Sequence, residues 1–324
     1  MKKTPQRETN PFPYSDSNKR YHTWDYYLRH RYGGKVFKIP LDAGFSCPNI
    51  DGTRGKGGCT YCRYGFIRQT PESLVRQFEE QKELLSRKWP DAVGYIPYFQ
   101  ANTNTYAPVE ELREKYEAVL SLPHVLGLSI ATRADTLPDE VCDYLSEVAG
   151  KTDLMVELGL QTIHDETALR INRGHTTAEF LEGYQKLASR GIDLCVHLIN
   201  GLPGETREMM IESARAVAAL KPKSVKIHLL HILRGTPMAK EYERGEFSVM
   251  EMEDYCETVC DQLEVMPPET VIQRVTGDGL PDELIAPMWS RKKFVVMNTI
   301  DQEMYRRDSW QGKQLEKRPE RQSE

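Results

Sequence analysis

The sequence predicts an α/β fold in which a parallel sheet, covered by outer helices, is curved into a full or partial barrel. Strand-like and helix-like segments alternate along residues 36–275, and such alternation is typical of parallel strands joined by helical crossovers. Polar or ionisable residues follow nearly every strand. Because parallel barrels carry their chemistry at the carboxyl ends of their strands, these residues form the candidate site.

The composition describes a soluble globular protein. The chain has 324 residues, of which 39% are hydrophobic, and a formal net charge of −5; this length suffices for one large α/β domain or two small ones. It contains no run of about eighteen apolar residues, and its N-terminal segment lacks an apolar signal core. We therefore expect a cytoplasmic protein without a membrane partner. The acidic balance argues against wholesale coating of nucleic acid but allows a local basic face.

Two basic segments are candidate RNA-facing surfaces, and the first follows a predicted flexible arm, residues 1–18. In residues 19–35, KRYHTWDYYLRHRYGGK, cations alternate with aromatic rings, which suits phosphate contact and base stacking. The alternative is an amphipathic helix whose rings cap one end of the barrel. The second segment, residues 289–317, faces RNA or is a solvated helix packed on the barrel end. The candidate contacts are Arg20, Arg29, Arg31, Lys292 and Arg306.

Hydrophobic periodicity gives the order of the elements. Thr70 and Pro71 are typical of an N-cap and a first helical residue, and an apolar stripe follows them. Further helices are predicted at residues 108–122, 138–149, 176–191, 205–220 and 249–265. Strands are predicted at residues 35–41, 92–99, 125–131, 153–160, 192–199, 224–232 and 269–275.

The loop after the first strand, LDAGFSCPNIDGTRGKGGCTYC, contains three thiols, on Cys47, Cys59 and Cys62. A structural zinc site is closed by four protein ligands, whereas three thiolates on a 4Fe–4S cluster leave one iron open. A CX2C pair also occurs in zinc ribbons and thioredoxin-like proteins, but no second CX2C or HX3H follows at ribbon spacing. Tyr61, between the paired cysteines, either faces an adenine or packs beneath the loop.

Polar residues at the strand ends complete the candidate site. A polar run with Asn102 and Thr103 follows the second strand and can offer groups to an amino acid moiety. Arg170 and Arg173 follow the fourth strand, and an arginine fork suits a carboxylate. The sixth strand carries Lys226 and His228 on one face, although a single histidine there is more often a core residue than a catalyst. The remaining candidates are Gln161, Arg173 and His197.

Several motifs together resemble the radical S-adenosylmethionine (SAM) superfamily, and most closely its Elongator-subunit-3-like branch without the acetyltransferase domain. They are RYHTWDYYLRHRYGGKVFKIPLDAGFSCPNIDG, GGCTYC, YFQANTNTYAP, VELGLQT, HLINGLPGET and VKIHLLHILRGTPMA. The resemblance covers residues 19–310. The superfamily spacing is CX3CX2C, and the CX11CX2C spacing here resembles the Elongator-like branch.

The resemblance implies a partial (β/α)6 barrel in residues 19–280 and a C-terminal extension, residues 281–324, whose tail is partly disordered. It implies a 4Fe–4S cluster on the three cysteines, with SAM on the open iron. Gln161 and Arg173 match positions that hold the SAM carboxylate end, and Asn102 and Thr103 match the segment that receives its amino group. His197 stands where distant relatives have an aspartate that contacts ribose.

The resemblance also implies a substrate. Similar bacterial enzymes convert the carboxymethylaminomethyl group at C5 of the tRNA wobble uridine toward aminomethyl, before a separate methyltransferase acts. A flavodoxin or ferredoxin would supply the electron, and a 5′-deoxyadenosyl radical would take the hydrogen. Lys226 and His228 would act as acid–base groups or bind the substrate carboxylate. The alternatives are a radical SAM enzyme for a small molecule or peptide, and a non-enzymatic, zinc-stabilised RNA-binding protein.

Overall fold

The computed structural model describes residues 10–63, 65, 67–277 and 282–316. Its centre is a curled sheet of seven parallel strands that follow one another in chain order, which confirms the predicted α/β half-barrel. The strands are β1 (Lys35–Leu41), β2 (Ala92–Phe99), β3 (Gly127–Thr132), β4 (Asp153–Gln161), β5 (Asp193–Asn200), β6 (Ser224–Leu229) and β8 (Val271–Arg274). Two short strands, β7 (Ile232–Leu233) and β9 (Leu284–Ala286), form an antiparallel pair.

Helices cover the outer face of the sheet, and threonine N-caps begin several of them. Thr70, Thr176 and Thr206 each accept a hydrogen bond from the backbone NH three residues later, which satisfies a donor at the start of the helix. The helices are α1 (Trp24–Tyr32), α2 (Pro48–Asp51), α3 (Pro71–Lys88), α4 (Val109–Leu120), α5 (Asp139–Ala149), α6 (Asp165–Arg170), α7 (Thr177–Ala188), α8 (Arg207–Leu220), α9 (Pro237–Glu243), α10 (Met252–Glu264), α11 (Lys293–Arg306) and α12 (Lys313–Glu316), with a 3-10 helix at Met288–Arg291.

The main core lies between the sheet and these helices. Val156 of β4 and Val196 of β5 are fully buried, as are Leu145 of α5 and Phe180 of α7. Burial of such side chains is the main favourable term in folding. At Gly183 of α7 a Cβ would lie 2.0 Å from the carbonyl oxygen of Ala134, so a glycine is needed for this close approach.

Helix α1 covers the gap between the two edge strands of the sheet. It contacts both β1 and β8, and Leu28 packs with Val36 and Ile96 in a separate apolar cluster. The residues before α1 extend along β8, where the backbone NH of Ile272 donates to the carbonyl of His22 at 2.7 Å. Trp24, Tyr27 and Tyr32 pack, partly buried, on the apolar cluster of Leu28. The segment thus forms a helix packed on the barrel, as the alternative interpretation predicted, but it covers the side gap between the edge strands rather than one end.

Residues 10–18 pack against the body of the protein, so the flexible-arm prediction is wrong for them. Phe12 is buried, and the Tyr14 ring stacks on His22 with centroids 4.8 Å apart. The amide of Asn10 donates to the carbonyl of Lys19 at 2.7 Å. Residues 1–9, to which the prediction also applied, lie outside the described residues.

The C-terminal residues pack on the barrel. Helix α11 buries Val296, Ile300 and Met304, and the Cys256 thiol of α10 donates to the carbonyl of Val296 at 3.8 Å. The predicted boundary at residues 280/281 lies outside the described residues, as do residues 317–324 of the predicted extension, whose tail was expected to be partly disordered. Among the helices that are described, none has the length and apolarity needed to cross a membrane.

Candidate active site

The three thiols of the cysteine loop line one cavity of about 320 Å3 at the carboxyl ends of the strands. Cys47 is the N-cap of the short helix α2. The hydrogen bond with the Cys62 thiol is the main cause that lowers the pKa of Cys59, to about 7, while the same contact and burial raise the pKa of Cys62. A thiolate is therefore accessible at Cys59 near neutral pH, and the thiolate is the form that binds metal.

Asn49 holds the cysteine loop in place beside Cys59, and no pattern in the sequence predicted this role. Its buried amide nitrogen lies 3.7 Å from the Cys59 sulfur and donates to the carbonyl of Asn172 at 2.6 Å. A Cβ at Gly55 or Gly174 would lie 2.2 or 2.4 Å from the Asn49 side-chain oxygen. The only sequence signal was the glycine-rich composition of the loop, which gives no indication of what the glycines approach.

Asn102, Thr103 and Gln161 lie in the wall of the same cavity. Asn102 and Gln161 have φ values of 57° and 64°, which non-glycine residues rarely adopt. In this wall, Asn102 Nδ2 and Thr103 Oγ1 are buried without a hydrogen-bond partner among the described residues. Buried polar atoms are normally paired, so this wall fits a polar ligand. The structure thus brings the three predicted contacts together beside the thiols.

Arg173 also borders the cavity, but its guanidinium donates hydrogen bonds to backbone carbonyls. It donates to the carbonyls of Leu160 and Thr162, both at 2.6 Å, and to that of His175 at 2.9 Å, and it pairs with Asp165. With its donors used in this way, the SAM-carboxylate contact expected for Arg173 does not fit this arrangement. Arg173 instead stabilises the chain where β4 ends.

Glu157 of β4 is fully buried at the junction of the cavity and the barrel interior. It contacts the ammonium groups of Lys38 and Lys226, and its Oε2 lies 2.8 Å from Nε2 of His197. Burial alone would raise the pKa of Glu157, but Lys226, Lys38 and His197 outweigh it and hold that pKa well below its usual range. Glu157 is therefore a carboxylate between two cations.

The predicted catalytic pair lies beside this carboxylate. Lys226 Nζ is 3.1 Å from the Tyr98 hydroxyl, and the His228 ring centroid is 5.1 Å from that of His197. Burial lowers the pKa of both histidines, so both are neutral at neutral pH. We call Lys38, Glu157, His197, Lys226 and His228 the interior charge cluster. Lys38 was missed, because a lysine in the strand KVFKIPL resembles a solvent-facing residue.

Tyr61 lines the cavity, and its ring packs against the apolar cluster that includes Ile171 and Met238. The loop is tied to the same cluster, because Thr60 NH donates to the carbonyl of Ile171 at 2.9 Å and Met238 NH donates to that of Thr60 at 3.0 Å. Packing beneath the loop, one of the two roles considered for Tyr61, is therefore observed.

The candidate RNA contacts lie apart from the cavity. Arg29 pairs with Asp16 and Asp25, Arg31 with Asp153, and Arg306 with Glu303, while Lys292 is exposed. The prediction that Arg20 contacts RNA at the surface is wrong. Its side chain is only 9% exposed, pairs with Asp308 and donates to the carbonyl of Ser309. It joins the two ends of the described chain instead.

A half-barrel with three thiols in its first loop, beside a polar cavity, has the architecture of a radical SAM enzyme. The sequence model of the radical SAM superfamily matches residues 50–217, and that of the radical SAM C-terminal domain matches residues 222–306. The chain belongs to the radical SAM superfamily, and its cofactors are a 4Fe–4S cluster and SAM. Cys47 lies outside the matched residues, and it is the structure that places it in the cavity with Cys59 and Cys62.

Individual relatives refine this assignment. The uncharacterized protein YtqA of Bacillus subtilis is 53% identical over 310 residues, 94% of this chain and 96% of that protein. YhcC of Escherichia coli K12 is 39% identical over 278 residues, 85% and 89% of the two chains. Human Elongator complex protein 3 is 27% identical over 199 residues, 59% of this chain and 36% of that protein.

The solved structure of archaeal Elp3 from Methanocaldococcus infernus has the same fold. It superimposes with a TM-score of 0.65 at 18% identity, covering 86% of this chain and 64% of that chain. Methylornithine synthase superimposes with a TM-score of 0.54 at 14% identity, covering 90% of this chain and 88% of its own.

Proposed function

We propose that this protein is a tRNA-modifying radical SAM enzyme that converts the carboxymethylaminomethyl group at C5 of the wobble uridine toward aminomethyl. One relative, from Methanocaldococcus jannaschii, is named tRNA uridine(34) acetyltransferase; it is 28% identical over 156 residues, 47% of this chain and 28% of that protein. The similarity to Elongator complex protein 3 supports the same class of substrate.

The observation that carries the proposal is the pair of lysines in the interior charge cluster. Lys38 and Lys226 both contact Glu157, so one carboxylate is shared by two ammonium groups. A second carboxylate, such as that of the uridine substituent, would balance the charge at this point. Such a group fits the barrel interior better than an uncharged substituent would.

The residues of the chain then have separable roles. When bound, the cluster and SAM would supply a 5′-deoxyadenosyl radical that takes one hydrogen atom from the carboxymethyl carbon. Loss of a further electron to the oxidised cluster would give an imine, and its hydrolysis would release the two-carbon unit as glyoxylate and leave the aminomethyl group. Asn102, Thr103 and Gln161 hold the polar end of SAM in the cavity, while Lys226 holds the substrate carboxylate. Burial lowers the pKa of His228 and keeps it neutral, and its Nε2, which has no hydrogen-bond partner among the described residues, is available for a hydrogen bond to the substrate. Glu157 and Lys226 are buried, so this part of the barrel limits the access of water to the reacting carbons.

The remaining partners follow from this reaction. A flavodoxin or ferredoxin-type protein would supply the electron, and a methyltransferase would use the aminomethyl product. A tRNA substrate and these partners would agree with the expected cytoplasmic location. The surfaces around Arg29, Arg31, Lys292 and Arg306 are exposed or half-exposed and stay candidates for phosphate contact.

The test is anaerobic incubation of the reconstituted enzyme with SAM, reductant and tRNA that carries carboxymethylaminomethyluridine, followed by nucleoside mass spectrometry. We expect aminomethyluridine together with 5′-deoxyadenosine. Lys226→Met should lower nucleoside conversion by about 100-fold, whereas the matched variant Lys151→Met, at a side chain that is 65% exposed, should leave it unchanged.

Formation of 5′-deoxyadenosine without any change in the nucleoside, and without salt-dependent binding of tRNA, would contradict the proposal. That outcome would assign the enzyme to a small-molecule or peptide substrate. Zinc in place of iron after anaerobic purification would instead indicate a zinc-stabilised RNA-binding protein, contrary to the cofactors of the superfamily.

A further inference from the structure

Tyr98 of β2 contacts both lysines of the interior charge cluster. Its ring centroid lies 4.2 Å from Lys226 Nζ and 4.9 Å from Lys38 Nζ, and its hydroxyl oxygen accepts a hydrogen bond from Lys226 at 3.1 Å. The ring of Trp24 adds a second aromatic face to Lys38, at 4.7 Å. An ammonium group is attracted to an aromatic face, and more strongly where water is excluded. One tyrosine thus holds both cations beside the carboxylate that they share.

Tyr98 and the two histidines of the cluster add no charge to it. Burial, reinforced by Glu157, raises the pKa of Tyr98 well above its usual range, so the hydroxyl keeps its proton. Burial lowers the pKa of His197 and His228. At neutral pH the interior charge cluster therefore contains two ammonium groups and one carboxylate. The positive charge left over is one that a substrate anion can balance.

The hydrogen bonds of the two lysines leave donors for such an anion. Each ammonium group has three N–H donors. Lys38 donates to Glu157 and to Gln273 Oε1, and Lys226 donates to Glu157 and to the Tyr98 hydroxyl. Within the parts of the chain that the structure describes, one N–H on each lysine thus faces no acceptor other than an aromatic ring. Two charged donors beside one ring match the two oxygens of a carboxylate.

Open space reaches this position from two sides. Tyr98, Lys38 and Lys226 line a cavity of about 650 Å3 at the side of the barrel, and Glu157 lines the cavity that holds the three thiols. The larger volume falls in the usual range of ligand pockets, about 300–1,000 Å3. A carboxylate on the two lysines would therefore lie next to the SAM cavity without displacing Glu157.

The charge of the wobble substituent changes during the proposed reaction. The carboxymethylaminomethyl group carries a carboxylate, whereas the aminomethyl product carries only an amine, which is protonated at neutral pH. A subsite with a surplus positive charge attracts the first group and repels the second. The same residues can thus favour the substrate and disfavour the product.

We propose that Tyr98 is a positioning residue that presents Lys38 and Lys226 to one carboxylate, and that this carboxylate subsite binds the wobble substituent before the reaction and rejects it afterwards. This inference rests on the proposed function and extends it from the substrate to the release of the product.

The first experiment measures nucleoside conversion by the full-length, reconstituted protein over a range of tRNA concentrations. We expect Tyr98→Phe to raise the KM for tRNA about fivefold, because one hydrogen bond to a charged group is lost, and to leave kcat and the Kd of SAM unchanged. Tyr184→Phe is the matched control, since the Tyr184 hydroxyl of α7 donates to the carbonyl of Leu220, also at 3.1 Å, on the outer face of the barrel. Thermal unfolding establishes that both variants are folded. Equal KM values for both variants and the wild type, or a change in the Kd of SAM, would overturn the positioning role.

The second experiment needs no substitution. Fluorescence anisotropy measures the binding of the wild-type protein to anticodon stem–loop RNAs that carry carboxymethylaminomethyluridine, aminomethyluridine or unmodified uridine at the wobble position. We expect the first RNA to bind about tenfold more tightly than the second, with the unmodified RNA between them.

Equal Kd values for the three RNAs would overturn the carboxylate subsite. If the Kd values are equal while tRNA is still modified, only the subsite fails. If no RNA binds and no nucleoside changes, the proposed function fails with it.

Discussion

The thiol-lined cavity and the interior charge cluster adjoin each other but are built in opposite ways. In the cavity, Asn102 Nδ2 and Thr103 Oγ1 are buried without a partner among the described residues. In the cluster, Glu157 is matched by Lys38, Lys226 and His197. The cavity wall has polar atoms that a cofactor would pair, whereas the cluster pairs its carboxylate with two ammonium groups and keeps an excess positive charge for a substrate carboxylate.

The elements that carry the two regions differ in the same way. The cysteines, Asn102 and Thr103 lie on connections, and the backbone is left-handed at Asn102 and at Gln161, the last residue of β4. The charges of the cluster lie on strands β1, β4, β5 and β6, which a parallel sheet holds at fixed spacing. Loops adapt to a ligand, and strands hold costly buried charges in register.

Removal of one cysteine should give the largest effect. We expect Cys59→Ala to lower formation of 5′-deoxyadenosine by at least about 1,000-fold, because the cluster needs all three thiolates. Iron content, visible absorbance and chromatography of deoxyadenosine measure this. Cys142→Ala, at a buried thiol in α5, should retain the iron. Full activity of Cys59→Ala would remove Cys59 from the cluster ligands.

Loss of the buried Glu157 carboxylate should have the second-largest effect, which is a decrease in the stability of the fold. Glu157→Gln leaves two lysines without their counter-ion and should lower the free energy of unfolding by about 3–5 kcal/mol. Because the pKa of Glu157 is lowered on folding, its stabilisation is present above the usual glutamate range and is lost as pH falls through the lowered value. Denaturant unfolding at several pH values measures both effects. The exposed Glu147→Gln variant should match the wild type, and equal losses in the two variants would contradict a preorganised cluster.

A smaller effect is expected from substitution of Asn49, whose amide lies beside the Cys59 sulfur. Asn49→Ala removes the amide beside the Cys59 sulfur, and we expect a lower reduction potential and about tenfold slower cleavage of SAM, because hydrogen bonds to sulfur favour the reduced cluster. A redox titration followed by electron paramagnetic resonance measures the potential. Asn298→Ala, at an exposed position of α11, is the control. An unchanged potential would mean that Asn49 only shapes the loop.

The smallest effect concerns the charge of Lys38. Burial lowers its pKa to about 8, so the ammonium loses its proton as pH rises through 8. The KM for tRNA should therefore rise several-fold between neutral and alkaline pH while the bound complex turns over at a similar rate. Lys38→Arg keeps the charge and should remove this part of the pH dependence. A KM that rises equally in both would assign the effect to another group.

Particular residues show how far the sequence could predict the site. The thiols and the alternation of strands and helices were predicted correctly, because both are carried by short, local patterns. Arg173 was misjudged, because its partners are the carbonyls of Leu160 and Thr162, and no pattern of side chains reveals a backbone acceptor. Lys38 was overlooked, because its partner Glu157 lies 119 residues further along the chain.

By itself the sequence determined the order of the elements, the three thiols proposed as cluster ligands and the superfamily, since each depends on residue type and local spacing. The tertiary structure alone decided that α1 closes the side of the half-barrel and that Arg20 is buried. It also decided that Lys38 and Lys226 meet at one carboxylate, Glu157. These features depend on the curl of the sheet, which brings β1 and β8 near each other without pairing them. Curvature is set by the packing of all the strands and helices together, and no single stretch of sequence contains it.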